Sequence, residues 1–259
     1  MAKSQKSDYP NIDSGDPRQF KQLVQNVHTA YNQAPEHIRH TAPDWYPAVN
    51  DAVRKGIRGT SMTELGGAGV VAAVSPNMDW DNHNIDAFSE LKHIKSAQWK
   101  DIANGDRSPL AGMSISRAGQ GNLLKAHRIM QGEHVDTVLP RNSAPKTNSF
   151  AHNIALEDTH VTIDGRAHDM AANRMQPWEM DRGIGSAALK TGKPTRYEHF
   201  EDAYRGATQS INEEHGLNLK PFQVQSVNWE SGKAFEKSTP TKTGKPRKVG
   251  IHRQGQPYV

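Results

Sequence analysis

Lys146 and Asp164, 18 positions apart, are the two residues whose types and spacing can do chemistry together. Pro145 marks the first turn of a helix that opens with Lys146-Thr147. A short, apolar, strand-like step, Val161-Thr162-Ile163, then delivers Asp164 at the start of the next helix. A helix of about three turns running away and a loop returning can bring both ends to one cleft mouth. A desolvated carboxylate there can stabilise developing positive charge, or orient and deprotonate a nucleophile. A neutral amine can attack an electrophilic carbon, whereas a charged one is a phosphate contact. An aspartate at a helix start is also a good cap, so capping and catalysis both stand open at Asp164, as do nucleophile and phosphate contact at Lys146.

Other chemistry-bearing residues point less sharply. His160, Asp164 and His168 lie four apart, the spacing of a helical metal site. Only the latter part is helical by pattern, and 13 histidines make such coincidences common; no metal and no cofactor is expected. Trp80, Trp178 and Trp229 can stack on a base or simply pack. Gln223, Gln225 and Trp229 share the last predicted helix and either line a pocket or pack. Gly183-Ile184-Gly185 is too short to be a nucleotide-binding loop.

The elements that must position these residues read as all-α. Asp16-Pro17 is a cap followed by proline at the first helical position, and Phe20, Leu23, Val24, Val27 and Tyr31 follow at helical spacing. A second helix opens after Pro43, with Tyr46, Val49, Val53 and Ile57 on one face, and stops at Gly59. Residues 63–75 are apolar and rich in Ala and Gly without alternation, which suits a buried central helix. Further helices are expected over 84–95, 116–131, 145–156, 165–175, 197–215 and 221–235, with a Gly-, Ser- and Pro-rich loop up to Gly112 and a polar loop after 175. Residues 1–15 read as a disordered tail, 16–235 as one helical domain and 236–259 as a flexible basic tail. From 233 onward there are seven Lys or Arg and one acid, Glu236, a composition that is either a solvated tail or a non-specific phosphate contact.

Composition excludes whole classes. With no cysteine among 259 residues there is no disulfide framework, thiolate zinc site or cysteine-ligated cluster. The longest apolar run, 69–74, is too short to span a bilayer, and no signal-peptide pattern opens the chain, so a cytoplasmic protein with no membrane partner is expected. A net charge of +4 is by itself a weak nucleic-acid signal.

Residues 139–174, LPRNSAPKTNSFAHNIALEDTHVTIDGRAHDMAANR, resemble the core of the helix–hairpin–helix DNA glycosylases, especially the endonuclease III branch. There a hairpin after Leu-Pro leads into a helix opening with Lys-Thr, and an apolar step ends in the catalytic aspartate before a helix carrying Asn-Arg. Upstream, 70–77 resembles the family's buried helix, with Asn77 where a glutamine fills the gap left by the extruded base. Asn84 matches an asparagine further along, and 120–131 resembles the helix before the hairpin. The likeness covers 64–175. The hairpin departs from the family: 141–145 has no glycine and is one residue longer, and Gly165-Arg166 follow Asp164 where Thr-His is commoner. Arg141 can there replace backbone amides with a charge.

The resemblance implies an all-α, two-lobed helix–hairpin–helix glycosylase-like fold, acting as a monomer on DNA with no protein partner. Asp164 and Lys146 would be catalytic, and Asn77, Arg141, Asn142, Thr147, Arg166 and Trp229 would contact DNA or the base. The implied activity is extrusion of a base and cleavage of its N-glycosidic bond, with or without lyase action. Two alternatives stand beside it. One is a transferase like the phage-encoded, glycosylase-like proteins that build hypermodified thymines, at work in a host cytoplasm; the other is a catalytically inactive DNA-binding protein of the same fold.

Overall fold

The computed structural model describes residues 16–76, 87–172 and 196–238, and among them there are helices and no strand. Asn77 and Asn84, and with them Trp80, Trp178, the 183–185 motif and both tails, lie outside the described residues, apart from residues 236–238. No described helix is long and apolar enough to cross a membrane.

α1 (Pro17–Gln33) opens as the sequence predicts, with the Asp16 carboxylate accepting from the Arg18 amide at 2.9 Å and Pro17 in the first turn. α2 (Glu36–Thr41) and α3 (Trp45–Gly56) follow. α4 (Glu64–Val74), capped by Thr63, is apolar on every side and buried from Gly67 to Val74, the pattern of a helix with no solvent face. Its glycines permit close packing. A Cβ on Gly69 would lie 2.6 Å from Val135, and one on Gly67 would lie 2.7 Å from Val53 and Ile57. α4 packs chiefly against α7 (Gln120–Met130) and α9 (Pro145–Ile154).

The helices differ from the sequence expectation at three places. The expected 84–95 helix is represented by α5 (Ala87–Leu91), but the stretch after it up to Gly112 is not all loop: it contains α6 (Ser96–Ala103), which buries Trp99 and Ile102. α2 was likewise hidden, because a six-residue helix that buries only Ile38 has too few apolar positions for its period to show. The last helix also runs to Ser238, three residues beyond the predicted end.

Buried side chains gather into two clusters. One joins α3 to α7 with α8 (Val135–Val138) and α9. The other joins α1 with α10 (Gly165–Ala171), α11 (Arg196–His215) and α12 (Pro221–Ser238). α12 serves both, with Phe222 in the first and Val224 and Val227 in the second.

The segment from α8 to α10 carries both candidate residues. After α8, the Pro140 carbonyl accepts from the amides of Ser143 at 3.0 Å and Ala144 at 2.8 Å, closing a tight turn into α9. α9 ends with the Leu156 amide bonded to the Asn153 carbonyl and the Glu157 amide to the His152 carbonyl. This is a Schellman cap with leucine at φ 63°, where glycine is usual. The Asn153 side chain then holds the returning chain. Its Nδ2 donates to the carbonyls of Glu157 and His160, and its Oδ1 accepts from Thr162 Oγ1.

Residues 161–163 pair with no strand; side chains of α11 take that role. The Val161 amide donates to Glu201 Oε1 at 3.0 Å, and the Tyr197 hydroxyl donates to the Val161 carbonyl and accepts from the Ile163 amide. Backbone groups of residues 161 and 163 thus point to one side, as along a strand edge. Glu201 is fully buried, and it also accepts from Ser149 Oγ at 3.1 Å and pairs with Arg141. Burial pushes the Tyr197 hydroxyl far above its usual range, which keeps it neutral.

Removing the Glu201 carboxylate leaves the Arg141 cation and the Val161 amide without their partner. Glu201→Ala is therefore expected to destabilise the chain by about 3–5 kcal/mol in urea unfolding. Glu201→Gln keeps an acceptor for the amide and should lose clearly less; equal stability of all three proteins would remove Glu201 from its central place.

Candidate active site

Lys146 and Asp164 line one cleft, whose solvent-accessible interior of about 80 Å³ is smaller than the ~300–1,000 Å³ of small-molecule sites. Lys146 stands exposed in the first turn of α9, and Asp164 is the N-cap of α10. Asp164 caps α10 with one oxygen and faces the cleft with the other. Oδ1 accepts from the Ala167 amide at 2.8 Å, capping the helix, and Oδ2 accepts from the indole N–H of Trp229 at 2.8 Å. A carboxylate has about four lone-pair positions, so two remain for a ligand.

Trp229 comes from α12, 65 residues later in the chain, and forms another part of the lining. The Arg166 guanidinium lies 4.7 Å from its ring centroid and the Lys233 ammonium 5.1 Å, both within cation–π range. Arg166 therefore reaches the site through Trp229. The remaining walls are aromatic as well. Trp45 and Phe150 stack at 6.0 Å and 29°, and Trp45 meets Tyr46 edge-on at 4.8 Å. The Tyr46 hydroxyl, pushed well above its usual range by burial and further by the Asp164 charge, donates to Gln225 Oε1 at 3.0 Å. Thr162 and Gln225 supply polar groups inside the cleft, with Ser226 and Glu230 from α12.

The structure brings together Lys146, Asp164, Trp229 and, through the indole, Arg166. Arg141 is not in the lining; its guanidinium is bound to Glu201 and Ser149. Asn142 is exposed on the turn and Thr147 is half-buried on α9, and neither lines the cleft. Gln225 faces it, but Gln223 accepts from the Lys220 amide and donates to the Pro43 carbonyl instead. His160, Asp164 and His168 do not converge, since His160 stacks on His152 and buried His168 lies against Asp169. Tyr46 escapes sequence reading because its periodicity marks it only as core, and Trp45 and Phe150 carry no local signal of a site.

The chain belongs to a family of unknown function (DUF7178), the match running over residues 10–233. No curated protein and no solved structure matches it.

The indole–carboxylate bond can be measured without any substrate. Trp229→Phe keeps an aromatic wall and removes the N–H donor, with an expected loss of about 1–2 kcal/mol in urea unfolding. Asp164→Asn necessarily turns an amide donor toward one of the two N–H groups and should lose a similar amount. In the double variant the losses should be clearly less than additive; strict additivity would show that the contact contributes nothing.

Proposed function

We propose that this chain is a DNA-acting enzyme of the helix–hairpin–helix glycosylase type, which extrudes a nucleotide and cleaves its N-glycosidic bond. The supporting observation is the meeting of Lys146 and Asp164 in one aromatic-walled cleft, directly after a helix, a tight turn and a second helix. On this reading the two buried clusters are the two lobes, and α8, the turn and α9 are the hairpin motif.

Chemistry on a base requires that it leave the stack and enter a pocket. Trp45, Phe150 and Trp229 offer faces to a flipped base, and Gln225 and Thr162 offer polar contacts at its edge. As the C1′–N bond breaks, the base leaves with the bonding electrons and the sugar becomes cationic. The Asp164 carboxylate, held by two N–H donors, faces that charge. It then takes the proton of the water that adds to C1′. Lys146, exposed at the rim, contacts a strand phosphate.

Incubation with genomic DNA, followed by mass spectrometry of nucleosides and free bases, tests the reading. A released base is expected. An altered nucleoside with no free base would replace the glycosylase with a transferase on the same cleft, and neither product would leave a DNA-binding protein. Asp164→Asn should lower turnover by about 10³-fold or more while leaving DNA affinity near the parent's; full activity of this variant would sink the site.

Lys146 separates hydrolysis from lyase action. Borohydride added during turnover is expected to trap no covalent protein–DNA adduct, and Lys146→Gln should reduce the salt slope of binding by about one. Efficient trapping that disappears in Lys146→Gln would instead make Lys146 a nucleophile that forms a Schiff base with C1′.

A further inference from the structure

At the other end of α9, roughly 9 Å along the helix axis from Lys146, a second set of polar side chains converges. His152 is buried, with Nε2 2.9 Å from Asp136 Oδ1 and Nδ1 2.7 Å from Glu157 Oε2. Ligand-type atoms of His152, Glu157 and His160 all lie within 4.8 Å of one another. A neutral imidazole carries one N–H. With that proton on Nε2, towards Asp136, the Nδ1 lone pair meets a carboxylate oxygen head-on. Two acceptors at that distance are held together only by a cation between them, either a proton or a metal ion.

We propose that His152 Nδ1, Glu157 and His160 form a site for one divalent transition-metal ion of the zinc class. The donor set is two imidazoles and a carboxylate, which suits Zn²⁺ with a water as fourth ligand. The surroundings agree independently. A ligating histidine characteristically donates its other N–H to a carboxylate that is itself hydrogen-bonded. Here that carboxylate is Asp136, which accepts from buried Asn148 Nδ2 at 2.7 Å. Two carboxylates beside the site balance a divalent charge. The Arg141 cation is matched by Glu201.

Binding needs a small local adjustment. Tetrahedral ligands at zinc distances stand about 3.3 Å apart, so the His152–Glu157 pair opens by about 0.6 Å. The His160 ring lies flat on His152, with centroids 4.1 Å apart and planes at 9°. It must turn edge-on, at the cost of its contact with Thr159 Oγ1, 2.9 Å from Nδ1, and it is only partly buried on an irregular loop. Glu157 is exposed and keeps one side of the site open to water. The ion would clamp residues 157–160 to α9 and thereby stiffen the step that carries Asp164. The proposal does not depend on what the cleft does.

The test uses the full chain freed of metal with EDTA, then titrated with Zn²⁺ at pH 7.5 by calorimetry and native mass spectrometry. One ion per chain and a raised melting temperature are expected, and Co²⁺ should give the visible absorption of a four-coordinate site. Glu157→Gln and His160→Asn, both on accessible side chains, should each weaken binding by about tenfold or more. Asp164→Asn should bind Zn²⁺ like the parent, which separates this site from the cleft. In the unmodified chain, proton resonances of the His152 and His160 rings should shift during the titration, a readout that needs no variant. No bound ion at about 100 µM Zn²⁺, or parent-like affinity in both the Glu157 and His160 variants, overturns the proposal.

Discussion

The fully buried carboxylate of Glu201 is the interaction on which the placement of the site depends. It receives the Val161 amide, the Ser149 hydroxyl and the Arg141 guanidinium, so one side chain of α11 joins the turn, α9 and the returning chain. A buried carboxylate is costly unless its lone pairs are met, and this requirement is what makes the arrangement specific. Tyr197, one helical turn earlier on the same face, meets the next two backbone groups. Side chains spaced i and i+4 thus do for residues 161–163 what a neighbouring strand does in a sheet. An all-helical chain can in this way deliver an extended segment to a cleft without exposing its amides to the core.

Asp164 inherits its position from that segment and its orientation from α10. Capping and a role in the cleft first look like rival accounts of one aspartate, but the geometry makes them complementary. The cap fixes one oxygen against the helix start, and the Trp229 N–H fixes the other. A carboxylate restrained at both oxygens cannot swing away as charge develops nearby, and this pre-organisation is what electrostatic stabilisation requires. The indole in turn has two cations against its ring, Arg166 from α10 and Lys233 from α12 itself. The site therefore depends on both buried clusters, because α12 contributes to each.

Legibility in the sequence followed periodicity and failed where contacts are long-range. Leu23, Val27 and Tyr31 announce α1, and the featureless apolar run of α4 announces a helix with no solvent face. α6 shows only Trp99 and Ile102, too few points to define a period. Lys146 and Asp164 were legible as a pair because their separation is local. The bond from Trp229 to Asp164 spans 65 positions and that from Arg141 to Glu201 spans 60, and no local pattern encodes either. Arg141 reads as a phosphate contact only through the resemblance of its turn to the glycosylase hairpin, since nothing nearby in sequence reveals that Glu201 meets it. His152 is silent for a different reason: Asp136 and Glu157 lie only 16 and 5 positions away, but with 13 histidines in the chain one more beside an acid carries no signal.

Why 18 positions suffice to bring amine and carboxylate together is a matter of lengths. The ten residues of α9 rise about 15 Å at 1.5 Å each. The Schellman cap reverses the chain within a few residues, at the cost of a leucine in a left-handed conformation. The last five positions, 160–164, cover about 16 Å when extended, so the return matches the helix it runs beside. A helical return over the same positions would rise only about 7 Å and leave Asp164 near the middle of α9. The extended step is thus required by geometry, and it can be extended only because Tyr197 and Glu201 satisfy its backbone.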